Sequence, residues 1–368
     1  MNAPFNPDRL TPSASLNRVR IVDLPGVTLE ASVKGKTAYE LLSAQALTDY
    51  LREHADALEL DVSLSDAAHL PVAFDRCFET VDKHIRAAAE EAAGHFGRRL
   101  GYLILTLKRG DAVNRRAREE WDDTYWAYWA SIREIWLGGG LVSGHLGRRL
   151  RQSAQTFLAE AGTTDCTLHL SAYPSALPLV GAARCFPPES RAGLVFDFGH
   201  SYIKRACALY ESGTLMALRP LSSLATGWAG LAEDAADQSR GWAERMIDVM
   251  ADTWQAARTS GLAPAPVLVA SIASYVADGQ PAAYDRGIYA QLRAVSDNLG
   301  RWLAQQVGER VERPVEIGLL HDGTAAARTY AGTAHAAVIM LGTALGIGFP
   351  PRHDELRPLS PAFQVLED

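Results

Sequence analysis

Four short segments hold residue types whose spacing suits chemistry on a phosphate group. In LVFDFGHSYIKRA an apolar run reaches Asp197, a tight turn covers Gly199, His200 and Ser201, and a second strand-like run begins. Such a turn aims consecutive backbone N–H groups and a hydroxyl at one spot, which suits phosphate oxygens. Asp197 beside it is the kind of group that holds magnesium through water, because the ion keeps much of its hydration shell while bridging phosphates. In LGTALGIGF, Gly342, Gly346 and Gly348 let the backbone approach a bulky anion, and Thr343 adds a hydroxyl. In IWLGGGLVSGHLGRRL, Gly138, Gly139 and Gly140 join a strand to a helix, forming a loop that can pass flat under a base or ribose. GLLHDGTAAARTYAG sets His321 and Asp322 where a strand gives way to a helix, and a carboxylate there can accept the proton of an attacking hydroxyl.

Each segment has a plain structural alternative. The first can be an ordinary hairpin with a polar turn, the second a glycine turn between core strands, and the third a permissive strand-to-helix connection. In the fourth, Asp322 or Thr324 can simply cap the helix. What favours ligand chemistry is their common placement at strand ends, where α/β sheets bind ligands.

The elements that must position these residues can be read from periodicity. Residues 1–20, rich in Pro, Asn and Ser, read as a loose arm, and RVRIVDLPGVTLEASV alternates like a strand. Apolar residues recur at helical spacing from Thr37 to Leu60 and from Ala73 to Leu100, so the first part is expected to be mainly helical. HLGRRLRQSAQTFLAEAG is an amphipathic helix closed by Gly162, with GRRLRQ as its solvated face. CFPPESRAG, residues 185–193, has the composition of a boundary between lobes. After it LVFDF, YIKRACALY and TLMALRPL read as three strands joined by short turns. A helix through Trp242 and Trp254, the strand PVLVASIA, a helix over Gln291–Val307, the strand PVEIGLL, a helix beginning near Thr324 and the strand AVIML follow. The pattern predicts an α/β lobe with a mixed sheet.

Bulk properties narrow the classes. The 368 residues, 48% of them hydrophobic, can form two lobes with separate cores. A net charge of -7 argues against general attraction to nucleic acid or anionic membrane. Cys77, Cys166, Cys185 and Cys207 show no C-x-x-C pairing and read as ordinary buried thiols. The first residues lack the pattern of a secretory signal, and AAVIMLGTALGIGFPP is shorter than a bilayer span and reads as strand, turn, strand. The expected compartment is the cytoplasm. Trp121, Trp126, Trp129 and Trp136 with Tyr125 and Tyr128 form either a partner or homodimer surface or extra core packing.

At the chemistry-bearing residues the sequence resembles the ROK family of sugar kinases and repressors, within the hexokinase/actin/Hsp70 class of ATPases. DFGHSYIKRA is similar to the family's first phosphate loop, D-I-G-G-T-K, and VLVASIASYVADG to its substrate-side strand and loop ending P-G-x-V-D. HDGTAAA is similar to N-D-A-N-A-A-A and LGTALGIG to the second phosphate loop, L-G-T-G-I-G-G-G. IWLGGGLVSGHLGRRLRQSAQTF, with TLHLSA and LPLVGAAR, resembles the adenosine loop, its helix and the closing G-L-L-G-A-A. The resemblance implies a two-lobed actin-like ATPase (ribonuclease H-like) fold of the α/β class, with ATP and Mg2+ as ligands. It implies Asp322 as general base and Asp197 as the magnesium support acting through water. Gly199, His200, Ser201, Lys204, Gly342, Thr343 and Gly346 would meet the nucleotide with Gly138, Gly139 and Gly140, and Ser274 and His321 would join Asp322 at the substrate.

The order of the motifs is that of a circular permutation, since the adenosine loop precedes everything else and GKTAYELLSAQAL resembles the helix that normally follows the second phosphate loop. The expected division is residues 1–187 as the lobe resembling the family's C-terminal half, 188–350 as the lobe with phosphate loops and base, and 351–368 as a tail returning to the first lobe. Departures are His200 for the second glycine, Ser201 for threonine, and the absence of the E-x-G-H sugar motif and the C-x-C-G-x-x-G-C zinc motif. No helix-turn-helix pattern precedes the kinase-like part, which argues against a DNA-binding repressor. Two functions are weighed: an ATP-dependent phosphotransferase acting on a hydroxyl of a sugar or similar small molecule, and a catalytically weak or inactive ATP-binding switch of the same fold.

Overall fold

A computed structural model describes residues 5–62, 69–227, 235–283, 288–352 and 356–366. In chain order come β1 (Arg20–Ile21), β2 (Lys36–Thr37), α1 (Ala38–Leu42), α2 (Ala44–Glu53), α3 (Ala55–Leu58), α4 (His69–Arg76), α5 (Lys83–Arg109), α6 (Ala112–Arg116) and α7 (Asp123–Ser131). Then follow β3 (Glu134–Gly138), α8 (His145–Glu160), β4 (Thr167–Leu170), α9 (Leu177–Ala183), β5 (Ala192–Phe198), β6 (Tyr202–Glu211), β7 (Thr214–Ala225) and α10 (Ala235–Thr259). The rest are β8 (Val267–Ile272), β9 (Val276–Ala277), β10 (Gln280–Pro281), α11 (Ile288–Gln291), α12 (Leu299–Arg310), β11 (Glu316–His321), α13 (Asp322–Arg328), β12 (Ala336–Leu341), β13 (Leu345–Gly348) and β14 (Leu359–Val365).

The chain divides into two compact units, one of Met1–Phe5, Ser15–Ser175 and His335–Ile347, the other of Asn6–Ala14, Ala176–Ala334 and Gly348–Asp368. The break expected at 187/188 thus falls at 175/176, because α9 packs on α13 and β5 of the second unit. The tail does not return to the first unit, since β14 extends the second unit's sheet parallel to β7. The strand AVIML crosses over instead: β12 pairs with β3 of the first unit.

The first unit has a sheet in the order β13-β12-β3-β4, in which β12, β3 and β4 run parallel. Helix α5 starts where Asp82 accepts from the N–H groups of His84 and Ile85, and ends at Gly110 in the left-handed region. It crosses α8 closely because Gly97 and Gly101 leave room for Ser153 and Phe157. Trp121, Tyr125, Trp126 and Trp129 are buried, so core packing accounts for most of the aromatic stretch. The expected loose arm is packed over its described part, with Leu10, Ala14 and Leu16 buried. The strand expected after it shrinks to Arg20–Ile21.

The second unit has a mixed sheet in the order β11-β8-β5-β6-β7-β14. β5, β6 and β7 form an antiparallel meander, and β8 and β11 add in parallel on the other side of β5. Every residue of β5 is buried, as befits a central strand. Phe196 and Phe198 share a core with Trp242, Met246, Met250 and Trp254 of α10 and with Leu299 and Leu303 of α12. The helix expected over Gln291–Val307 instead begins at Leu299, where Asn298 caps it by accepting from the Arg301 N–H.

Helix α13 is wedged by two glycines: a Cβ on Gly181 would overlap the Ala325 carbonyl, and one on Gly348 the Gly323 carbonyl. Among the described residues no helix is long and apolar enough to cross a membrane, and the four cysteines are unbridged. Gly181→Ala is expected to lower stability by about 2 kcal/mol or more, as overpacking against rigid backbone does. Gly94→Ala, with nothing within 4 Å of its added carbon, should be neutral or stabilising when both variants are compared with the wild type by urea titration.

Candidate active site

The site is built at the C-terminal ends of β5, β8 and β11. β5 ends in Asp197 and Phe198, and its continuation turns through Gly199, His200 and Ser201 into β6. Three carbonyls of that turn are held from behind. The Tyr289 hydroxyl donates to Gly199 O at 2.7 Å, and the Thr226 hydroxyl lies 2.8 Å from His200 O and 3.1 Å from Ser201 O. Since a trans peptide sets N–H opposite C=O, the N–H groups of His200 and Ser201 point away from those partners. Neither Gly199 nor His200 has a positive φ, so histidine replaces glycine there without backbone strain.

Asp197 is 5% exposed. It accepts from the Ser271 hydroxyl of β8 at 2.9 Å, and its register partner across the hairpin, Lys204, brings Nζ to 3.9 Å. Burial pushes its carboxyl up from the ordinary aspartate range, Lys204 opposes this, and the charge of Asp322 adds to it. Burial also raises Asp322, to about 6, against the pull of the Gly323 N–H and Lys204. Its side chain keeps 26% exposure, so an outside group can reach it. The Tyr289 hydroxyl is driven well above its usual range by burial and then by both carboxylates. One lysine, two aspartates and a buried tyrosine therefore share one electrostatic neighbourhood.

Neither Asp322 nor Thr324 caps α13. His321 does, its Nδ1 accepting from the Thr324 N–H at 3.3 Å. Asp322 is thereby released from the capping duty that its position invites. Its Oδ1 accepts from the Gly323 N–H at 2.6 Å and lies 3.0 Å from His321 Nε2. The His321 ring is buried and stacks on Tyr275 at 4.2 Å between centroids. Ser274, three residues beyond Ser271 in the loop after β8, is partly exposed.

The remaining candidates lie in the first unit. Gly138 ends β3 opposite Met340, and Gly139, at φ +96°, is packed so closely on Leu341 that no side chain fits. Gly342 and Thr343 follow β12 directly, and the Gly342 carbonyl accepts from the Ala44 N–H at 2.8 Å. Gly346 lies within β13. Gly140, with no atom within 4 Å of an added Cβ, borders a cavity of about 390 Å3. Its other walls include Val72, Asp75, Arg76 and Glu79. The N-terminus of α8 is filled by Asp75, whose Oδ1 accepts from the Leu146 N–H at 2.9 Å. That leaves the loop suited to an uncharged part of a ligand rather than to phosphate at the helix end. Gly348 serves to seat α13 rather than to face an anion.

The structure thus unites Asp197, Gly199, His200, Ser201, Lys204, His321 and Asp322 within the second unit, and Gly138, Gly139, Gly140, Gly342, Thr343 and Gly346 within the first. Ser271, Tyr289, Thr226 and Asp75 escaped the sequence reading. Each is an isolated polar residue whose partner is distant in the chain, and no local pattern marks it. No family model, curated protein or solved structure matches the chain.

The raised carboxyl of Asp322 has a stability consequence. An unfolded aspartate titrates near 3.9, and the folded one at about 6, so the folded state holds the proton more tightly between these values. This contribution therefore makes stability fall as pH rises from about 4 to 6 and stay lower above. Asp322→Asn is expected to be more stable than the wild type in urea at pH 8, with the difference shrinking toward pH 4.

Proposed function

We propose that this chain is an ATP-dependent phosphotransferase acting on a hydroxyl of a sugar or similar small molecule, a ROK-type kinase whose halves are circularly permuted. The observation that carries this reading is the pair of aspartates at the ends of β5 and β11, with the charge of Lys204 acting on both. Further support comes from the second unit's sheet, in which a meander and two added parallel strands put the pair at the carboxyl edge where open α/β sheets bind ligands.

In this reading the acceptor hydroxyl meets Asp322, whose carboxyl at about 6 is ionised at neutral pH yet basic enough to take a proton. As the acceptor oxygen bonds to the γ-phosphorus, the O–H proton passes to Asp322 and the bond to the ADP oxygen breaks. The turn at Gly199–Ser201 supplies backbone N–H groups, and Lys204 a positive charge, toward the phosphates. Among the described residues no group of three or more His, Cys, Asp or Glu is placed to hold a metal ion. Asp197, one of whose oxygens accepts from Ser271, is the carboxylate that would hold a hydrated Mg2+ through water. Bound there, the ion would neutralise developing phosphate charge. An inactive ATP-binding switch is the weaker reading, because His200 strains no backbone and both aspartates retain perturbed carboxyls.

ADP formation with a panel of hexoses and polyols tests the reading. The wild type should turn over with at least one acceptor, losing rate below about pH 6, while Asp322→Asn should lose about 10²–10⁴-fold in rate and keep ATP affinity within a few-fold. Transfer that survives Asp322→Asn unchanged would remove Asp322 from the mechanism.

A further inference from the structure

We propose that Arg184 is a positioning residue for Asp322, gripping the far end of α13, and that the tail segment beginning at Arg357 keeps it in place, a role that rests on reading Asp322 as the base. Both arginines are buried, so their charges depend on acceptors supplied by the protein. The Arg184 guanidinium lies at the C-terminus of α13, where Nη1 donates to Arg328 O at 2.6 Å and to Thr329 O at 3.0 Å. The last carbonyls of a helix lack partners within it and carry the negative end of its dipole, so a cation there both satisfies and holds them. Arg184 follows α9 directly, three residues after Gly181, the glycine that admits the Ala325 carbonyl. Close contact of that kind limits how near α13 can come and exerts no pull. The arginine supplies the attraction, so the end of α9 sets both the stop and the grip for the helix that begins with Asp322.

Arg184 is itself clipped by the tail. Its carbonyl accepts from the Arg357 N–H at 2.8 Å, and its Nε donates back to Arg357 O at 2.8 Å. The Arg357 side chain anchors this reciprocal pair. Its Nε donates to Gly213 O at 2.6 Å in the turn between β6 and β7, its Nη1 donates to Pro187 O and Ser190 O, and the guanidinium lies 4.1 Å from the centroid of the Tyr210 ring. Tyr210 donates its hydroxyl to Ala183 O at 2.7 Å, so the end of α9 is held from two sides. Beyond the clip the tail runs into β14 and pairs with β7. The rigid five-donor fork of arginine meets carbonyls of several segments at once, which a lysine ammonium does with less geometric order. A docked tail thus fixes Arg184, and Arg184 fixes the end of α13. At about 1.5 Å per residue that helix is only about 10 Å long, so a tilt at one end displaces the carboxylate at the other.

Hydrogen exchange on the folded full-length protein, joined to transfer kinetics, tests this. In Arg184→Met the amides of residues 326–329 should exchange about tenfold faster or more than in the wild type, while those of β5 change by less than about threefold. Transfer should fall about tenfold or more with KM for ATP within about twofold, because the phosphate turn lies on the β5–β6 hairpin and not on α13. Arg357→Met, which leaves Arg184 in the chain, should shift exchange and rate in the same direction by about threefold or more, and it decides the matter if Arg184→Met does not fold. Exchange that quickens equally in β5 and α13 would make the arginines general supports of the unit and overturn the proposal. So would a transfer rate unchanged in a variant whose α13 exchanges faster, and α13 exchange unchanged in Arg357→Met would remove the tail's part. Exchange needs no turnover, so a wild type that transfers nothing would count against the proposed activity, while the exchange pattern still decides whether the two arginines hold α13.

Discussion

The carboxyl edge of the second unit's sheet holds one buried and one partly exposed carboxylate within reach of each other's field. Asp197 and Asp322 stand two strand spacings apart, at the ends of β5 and β11 with β8 between, a separation of about 10 Å. Both are pushed up by burial, and Asp197 further by its neighbour. Lys204 is the compensating charge, and it can serve both because the β5–β6 hairpin sets it directly across from Asp197. Folding bears the cost of this arrangement, which apolar residues in the same places would avoid. Such expense is characteristic of ligand sites, where perturbed groups are kept for what they do to a bound molecule.

The scaffold around the pair is correspondingly stiff. A fully buried β5 fixes Asp197, and Ser271 of the neighbouring strand holds one of its oxygens. On the other side, α13 has no freedom to slide, because Gly181 and Gly348 bring backbone against its first carbonyls. A helix of seven residues gains little from its own hydrogen bonds, so tertiary seating and the His321 cap must set its place. The turn at Gly199–Ser201 is braced from behind by Tyr289 and Thr226, which orients its N–H groups without recourse to left-handed backbone.

Much of this was legible in the residues. The strands ending in Asp197 and His321 announce themselves because a continuous apolar run stops at a polar residue, the mark of a central strand reaching its edge. The mixed sheet followed from three adjacent strands and then alternation of helix and strand. Topology was harder. AVIML reads as a strand equally well in either unit, and only pairing with β3 decides it; the same holds for the tail, whose pairing with β7 no local pattern foretells. Cap preferences favoured Asp322 or Thr324 at the start of α13, yet the burial of His321 beside the Thr324 N–H won, since a buried ring nitrogen needs a partner. Ser271 and Tyr289 were invisible for the same reason, their roles arising from partners on other elements.

The central claim is that the carboxyl edge of this sheet handles a magnesium-bound nucleotide, and calorimetric titration with a non-hydrolysable ATP analogue tests it most directly. The account predicts binding that magnesium strengthens by about tenfold or more in the wild type and leaves unchanged in Asp197→Ala. Binding indifferent to magnesium in both proteins, or none at millimolar nucleotide, would contradict it.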